Sequence, residues 1–270
     1  MFSLEGKTAI ITGAAGYLGR TFTEALLDAG AKVDIYGRGE KLLKYRDDLA
    51  AKYGEHKVDS HVVDLYDEKN YRLALEDSVL KNPNIDILVN NAYEFSKATG
   101  FNDESGRMEN ISKSQWMRSM EAGVYWAALA TQVVGEKMKK QKFGSIVNIS
   151  SMYGIVAPDP TLYEGLPTFN PPAYSASKSA LIAFTRYTAS FYGQHNIRCN
   201  TLSPGPFPNI DPNSYNKPDE KILNRLSSRT SLKRYGDPKE LHGAIVFLAS
   251  DASKYMTGQA LVVDGGWTIS

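Results

Sequence analysis

Thr8-Ala9-Ile10-Ile11-Thr12-Gly13-Ala14-Ala15-Gly16-Tyr17-Leu18-Gly19 is the stretch on which the fold turns. Thr8 to Ile11 is apolar and partly β-branched, the signature of a short strand. Glycines follow at 13, 16 and 19, and then Leu18, Phe22, Ala25 and Leu26 recur on one helical face. A strand that passes through a glycine turn into a helix leaves unpaired N–H groups and the positive end of the helix dipole at the strand's carboxyl end. A pyrophosphate binds there. On this reading Gly13, Ala15, Gly16, Tyr17, Leu18 and Gly19 form an anion cradle.

The same alternation continues along the chain. Further strands are expected at Lys32 to Tyr36, His61 to Val63, Ile85 to Val89, Ser145 to Ile149, Ile197 to Leu202 and Ala260 to Val263. Helical patterns fill the gaps, with Tyr71, Leu75 and Val79 marking one buried face. Seven strands joined by helical crossovers predict an α/β fold, a single-domain Rossmann-type doubly wound parallel sheet with helices on both faces. No repeat or linker divides residues 1–270, and the segments 93–114, 155–172 and 204–236 read as long loops of one domain.

Composition narrows the function. With 31 basic and 30 acidic side chains the net charge is +1, which gives no field for nucleic acid or an anionic membrane. The single Cys199 excludes an internal disulfide, and the four histidines (His56, His61, His195, His242) show no metal-binding spacing. The opening Met1-Phe2-Ser3-Leu4-Glu5-Gly6-Lys7 lacks a signal-peptide pattern, and no apolar run reaches the ~18 residues of a membrane span. A soluble, cytoplasmic protein acting on a small molecule, without metal, is expected.

Ligands of an open parallel sheet bind outside the carboxyl ends of its strands. Polar or glycine clusters stand at those ends: Asp64-Leu65, Asn90-Asn91-Ala92, Ser150-Ser151-Met152-Tyr153-Gly154 and Ser203-Pro204-Gly205-Pro206-Phe207. In Tyr174-Ser175-Ala176-Ser177-Lys178 a phenol and an ammonium stand one helical turn apart on a shared face. A free phenol titrates near pH ~10, so the ammonium is expected to draw it down and fit it for proton exchange at neutral pH.

Taken in this order, the glycine turn, Asn90-Asn91-Ala92, Ser151 and the Tyr174/Lys178 pair resemble the compact subtype of the short-chain dehydrogenase/reductase superfamily over nearly the whole chain. The resemblance implies catalysis by Ser151, Tyr174 and Lys178, with Tyr174 as general acid/base. It implies a nicotinamide dinucleotide held by the turn, by Arg38, Asp64, Leu65, Asn91 and Ala92, by Tyr174 and Lys178, and by Pro204, Gly205 and Phe207. Three departures stand out. Tyr17 replaces a family glycine, and the Gly13, Gly16, Gly19 spacing is that of the extended subtype. Tyr93 replaces the glycine after Asn-Asn-Ala. Counting from Trp116, Gly123 stands where the family has its fourth catalytic residue, an asparagine, which predicts an altered proton relay.

Strand two ends at Gly37-Arg38, with no carboxylate to accept the ribose hydroxyls of NAD, so the chemistry favours NADP over NAD. The reaction implied is the interconversion of a secondary alcohol and a carbonyl by hydride transfer, the long loops covering a polar substrate such as a sugar or sugar derivative. Dehydratase or epimerase chemistry without net cofactor use, and nucleotide sensing with catalysis lost, are the alternatives. The segments Gly123 to Val134 and Ala180 to Tyr192 are apolar on more than one face, which predicts a homo-oligomer, a tetramer or dimer.

Overall fold

A computed structural model describes residues 1–166, 169–211 and 218–270. The stretches at 167–168 and 212–217, within two of the expected long loops, lie outside the described residues. The chain runs β1 (Thr8–Thr12), α1 (Tyr17–Asp28), β2 (Lys32–Gly37), α2 (Gly39–Tyr53), β3 (Val58–Val62), α3 (Glu68–Lys81) and β4 (Ile87–Asn90). Then come α4 (Lys113–Met120), a π-helical turn (Glu121–Tyr125), α5 (Trp126–Gln141), β5 (Gly144–Ile149), α6 (Pro172–Tyr192), β6 (Ile197–Pro204), α7 (Glu220–Arg229), α8 (His242–Ala249) and β7 (Ala260–Val263).

The strands pair in parallel in the order β3-β2-β1-β4-β5-β6-β7. The chain winds outward from β1 in one direction and returns through β4 to build the other half, so the switch point opens a crevice beyond the carboxyl ends of β1 and β4. Successive side chains of a strand face opposite layers. Ala9 and Ile11 accordingly enter one core with Phe22, Leu26, Leu49 and Leu248, while Ile10 enters the other with Tyr71, Leu75, Leu129 and Val134. A third apolar cluster, including Met152, Leu162, Ile222 and Trp267, lies around Tyr174.

Two strand boundaries and one buried position depart from expectation. The third strand is Val58–Val62, not His61 to Val63; as the edge strand it pairs only with β2, and Asp59 and Ser60 break the apolar run that sequence reading looks for. β4 starts at Ile87, because the Asp86 carboxylate turns back to accept the Thr8 N–H (2.9 Å) and Lys7 Nζ (3.0 Å). On α3 the third fully buried position is Ser78, not Val79. Its hydroxyl donates to the buried Asp34 carboxylate and meets the Tyr36 phenol, with His61 Nε2 3.2 Å from Asp34 Oδ1. A buried carboxylate needs such partners, and the polar side chain on α3 supplies one.

Candidate active site

The glycine turn is shaped by close approach. Gly13 has φ +67°, and a Cβ there would press on Ala92 Cα at 2.9 Å. A Cβ at Gly19 would collide with the Gly13 carbonyl, so α1 can seat against the turn only without a side chain. α1 starts at an extended Gly16 with no side-chain cap and no acidic residue in its first turn, which leaves its dipole free for an anion. Thr12 Oγ1 accepts from the backbone N–H groups of Asn91 and Ala92, both at 3.1 Å. Asn91 Nδ2 donates to the carbonyls of Thr12 (3.0 Å) and Gly13 (3.2 Å). The Asn91 amide thus braces the turn from beneath. The residues present therefore fit a dinucleotide pyrophosphate.

Tyr17 does more than stand in for a glycine. Its hydroxyl donates to the Pro208 carbonyl at 2.9 Å and ties the start of α1 to the segment after β6. On that segment Gly205 N–H donates to the Val263 carbonyl at 2.9 Å, and the Phe207 ring packs against Gly236 and the core. The contact made by the Phe207 side chain is thus internal to the fold. Arg38 stands at the end of β2, 57% exposed, with Nη1 4.0 Å from Glu94, a carboxylate already held by Arg118 at 2.7 Å. Asp64 is exposed after β3, its carboxylate accepting from the Tyr66 N–H, and Leu65 beside it is buried.

Ser151, Tyr174 and Lys178 come together beyond β5. Ser151 caps the turn Met152–Gly154 by accepting from the Tyr153 N–H at 3.1 Å. Pro172 opens α6, and Tyr174 and Lys178, one turn apart, are both buried. Ser150 Oγ donates to the Lys178 carbonyl at 2.9 Å, and a Cβ at Gly154 would meet both of those groups, so α6 lies tight on the end of β5.

The electrostatics differ from expectation. Lys178 Nζ donates to the Ile149 carbonyl at 2.8 Å and lies 5.7 Å from the centroid of the Tyr174 ring. Burial pushes the Lys178 ammonium down to about 7. Burial likewise pushes the Tyr174 phenol up to about 12, against a hydrogen bond with Ser151 that lowers it. Burial dominates, because desolvation penalises the charged form of both groups. The site holds a proton on the phenol at neutral pH.

Sequence reasoning missed the wall around that phenol. Rings of Tyr93, Phe101 and Phe95 stand 5.1, 5.0 and 5.9 Å from the Tyr174 ring, centroid to centroid. On another side the Tyr153 hydroxyl meets that of Tyr163 at 3.1 Å, and Tyr153 packs edge-on to Trp267. Arg225 donates to the carbonyls of Leu162 and Glu164, both at 2.8 Å, and Arg229 pairs with Asp159 at 2.7 Å, so α7 clasps the loop after β5. The charges of the 93–114 loop mostly pair with each other, Lys97 with Asp103 and Arg107 with Glu104. The aromatic residues at 93, 95 and 101 were the available signal. Gly123 lies in the π turn, and a Cβ there would collide with Ser177 and come within 3.4 Å of the Tyr93 ring.

A family profile described as enoyl-(acyl carrier protein) reductase matches residues 13–268. The 3-oxoacyl-(acyl-carrier-protein) reductase of Thermotoga maritima is 34% identical, over 98% of this chain and 99% of its own. The gluconate 5-dehydrogenase of Gluconobacter oxydans is 32% identical, over 100% and 98%. Among solved structures, a gluconate 5-dehydrogenase from Burkholderia cenocepacia J2315 in complex with NADP and tartrate gives a TM-score of 0.84 at 29% identity, covering 100% of this chain and 98% of that one. The chain belongs to the short-chain dehydrogenase/reductase superfamily. It is an NAD(P)-dependent oxidoreductase that interconverts an alcohol and a carbonyl compound.

Proposed function

We propose that Tyr174 is the general acid/base of this oxidoreductase, Ser151 the group that holds the reacting oxygen, and Lys178 the ammonium that steadies charge on the phenol. The observation that carries this reading is the burial of all three side chains together beyond β5, beside the cradle at the switch point. When bound, the nicotinamide accepts or delivers the hydride. In the reductive direction Tyr174 gives its proton to the carbonyl oxygen as negative charge develops there, and the Ser151 hydroxyl donates to the same oxygen. With its phenol held up at about 12, Tyr174 carries its proton at neutral pH, the form that reduction needs, and oxidation, which needs the phenolate, speeds up as pH rises.

Arg38 is exposed at the end of β2, where the 2′-phosphate of NADP would lie, and among the described residues its ion-pair partner is Glu94 at 4.0 Å, which supports a preference for NADP. The substrate we propose is an uncharged, hydroxyl-bearing ring of the sugar type. Its apolar faces suit the rings of Tyr93, Phe95 and Phe101, and among the described residues Arg107, Arg225 and Arg229 nearby are already engaged by carboxylates or carbonyls. Exposed Met117, Tyr125, Tyr187 and Phe191 on or beside α4, α5 and α6 suit a homo-oligomer, and the single buried Cys199 suits a reducing cytoplasm. Loss of NADPH absorbance with neutral cyclic hydroxy ketones, and little with open-chain sugar acids, is the expected outcome of a substrate screen. The reverse order would refute the substrate reading, and a preference for NADH the cofactor reading.

A further inference from the structure

Lys178 poses an electrostatic problem that its catalytic surroundings do not solve. Its amine is buried beyond β5, and its one hydrogen-bond acceptor among the described residues is the neutral carbonyl of Ile149. An ammonium there is short of compensating charge. What surrounds it is aromatic: Nζ lies over the Tyr93 ring at 5.1 Å from the centroid and over the Tyr174 ring at 5.7 Å. The Tyr93 ring is fixed on three sides. Its hydroxyl meets Ser119 Oγ at 2.7 Å, its edge packs on the Tyr174 ring, and its Cε2 lies over Gly123, where the bare backbone leaves it room.

Resting on the assignment of Tyr174 and Lys178 above, we infer that Tyr93 is a positioning residue whose ring face holds the Lys178 ammonium beside the Tyr174 phenol. A cation over the face of a desolvated aromatic ring is attracted by the ring quadrupole, an interaction that strengthens as water is excluded. The titratable groups that face the amine are the phenols of Tyr93 and Tyr174, with Tyr153 beyond Tyr174. On the π turn, Glu121 belongs to a separate group with Arg118, Glu68 and Asp64. Among the described residues no carboxylate pairs with Lys178, whose hydrogen bond goes to the Ile149 carbonyl, so the task falls to the ring.

The test is the pH profile of reductive kcat/KM, whose fall at rising pH reports loss of the ammonium. Tyr93→Leu keeps apolar bulk and removes the π face; replacing Tyr93 by pentafluorophenylalanine keeps the ring shape and reverses its quadrupole. Both are expected to move the descending limb down by about one pH unit, while Tyr93→Phe leaves it near the parent's. If Tyr93→Leu does not fold, the fluorinated variant decides alone. An unmoved limb in the fluorinated protein, or an equal displacement in Tyr93→Phe, overturns the inference. Tyr174→Phe is assayed in parallel. If that variant keeps its turnover the assignment beneath the inference falls; if it is inactive while the limb stays put, only the role of Tyr93 falls.

Discussion

Gly123→Ala is a small change with a worked consequence. A Cβ at 123 would overlap both the Cβ and the Oγ of Ser177 and come within 3.4 Å of Tyr93 Cε2. Overpacking of this kind costs about 1–3 kcal/mol, offset by about 0.5–1 kcal/mol gained when alanine replaces a helical glycine. The net is up to about 2.5 kcal/mol of destabilisation, or up to about 4 °C in Tm for a chain of this size. The larger effect falls on activity. Ser177 Oγ donates to the Tyr174 carbonyl at 2.8 Å and Ser177 precedes Lys178, so pushing it away moves the proton-handling face of α6. A displacement approaching 1 Å lowers kcat by about 10- to 100-fold. Cofactor affinity, set at the turn after β1, stays near the parent's. The assay is thermal unfolding beside steady-state kinetics and cofactor titration. Ser177→Ala in the Gly123→Ala background removes Oγ but not Cβ, so partial recovery is expected. An unchanged Tm with undiminished kcat in Gly123→Ala would refute the steric reasoning.

Arg38→Ala is expected to lower kcat/KM for NADPH by about 10- to 100-fold, the loss of a hydrogen bond to a charged group, and to leave NADH nearly untouched. Parallel initial rates with the two cofactors decide it. Tyr17→Phe breaks the hydroxyl's bond to Pro208 and is expected to speed release of the cofactor by about 2- to 10-fold, as stopped-flow fluorescence would measure. Burial opposes charge on His61, yet Asp34 with Asp59 and Asp77 outweighs it and holds the imidazole above its ordinary 6.5. A raised folded value gives stability that is complete below the ordinary 6.5 and lost as pH rises through the raised value, so the contribution of His61 to Tm is expected to fall as pH rises above about 6.5. The measure is the Tm of the parent less that of His61→Gln, which removes the opposite contribution of Lys178: this difference is expected to shrink as pH rises, and a difference that stays constant or grows contradicts the pairing.

What could be read from sequence was chemistry carried by near neighbours in the chain. The glycines at 13, 16 and 19 between a strand and a helix, and the one-turn spacing of Tyr174 and Lys178, each say what they do without a partner from elsewhere. Contacts between distant segments were not visible. Nothing at position 17 announces a hydroxyl bonded to Pro208, and nothing at position 91 announces an amide that braces the turn. Lys178 illustrates the limit well: its acceptor is a main-chain oxygen, which any residue at 149 supplies. β3 was misplaced because an edge strand tolerates Asp59 and Ser60. The wall of Tyr93, Phe95 and Phe101 was hidden in a loop whose charges drew notice first, although those charges largely satisfy each other.

The chemistry assigned here rests on one proton, and Tyr174→Phe tests it most directly. The ring and its packing against Tyr93 and Phe101 remain, so NADPH should titrate with a Kd close to the parent's. Turnover on any ketone reduced by the parent should fall by at least about 100-fold, the scale of general acid catalysis. Retention of most of the parent kcat, with cofactor bound and the fold intact, would contradict the account.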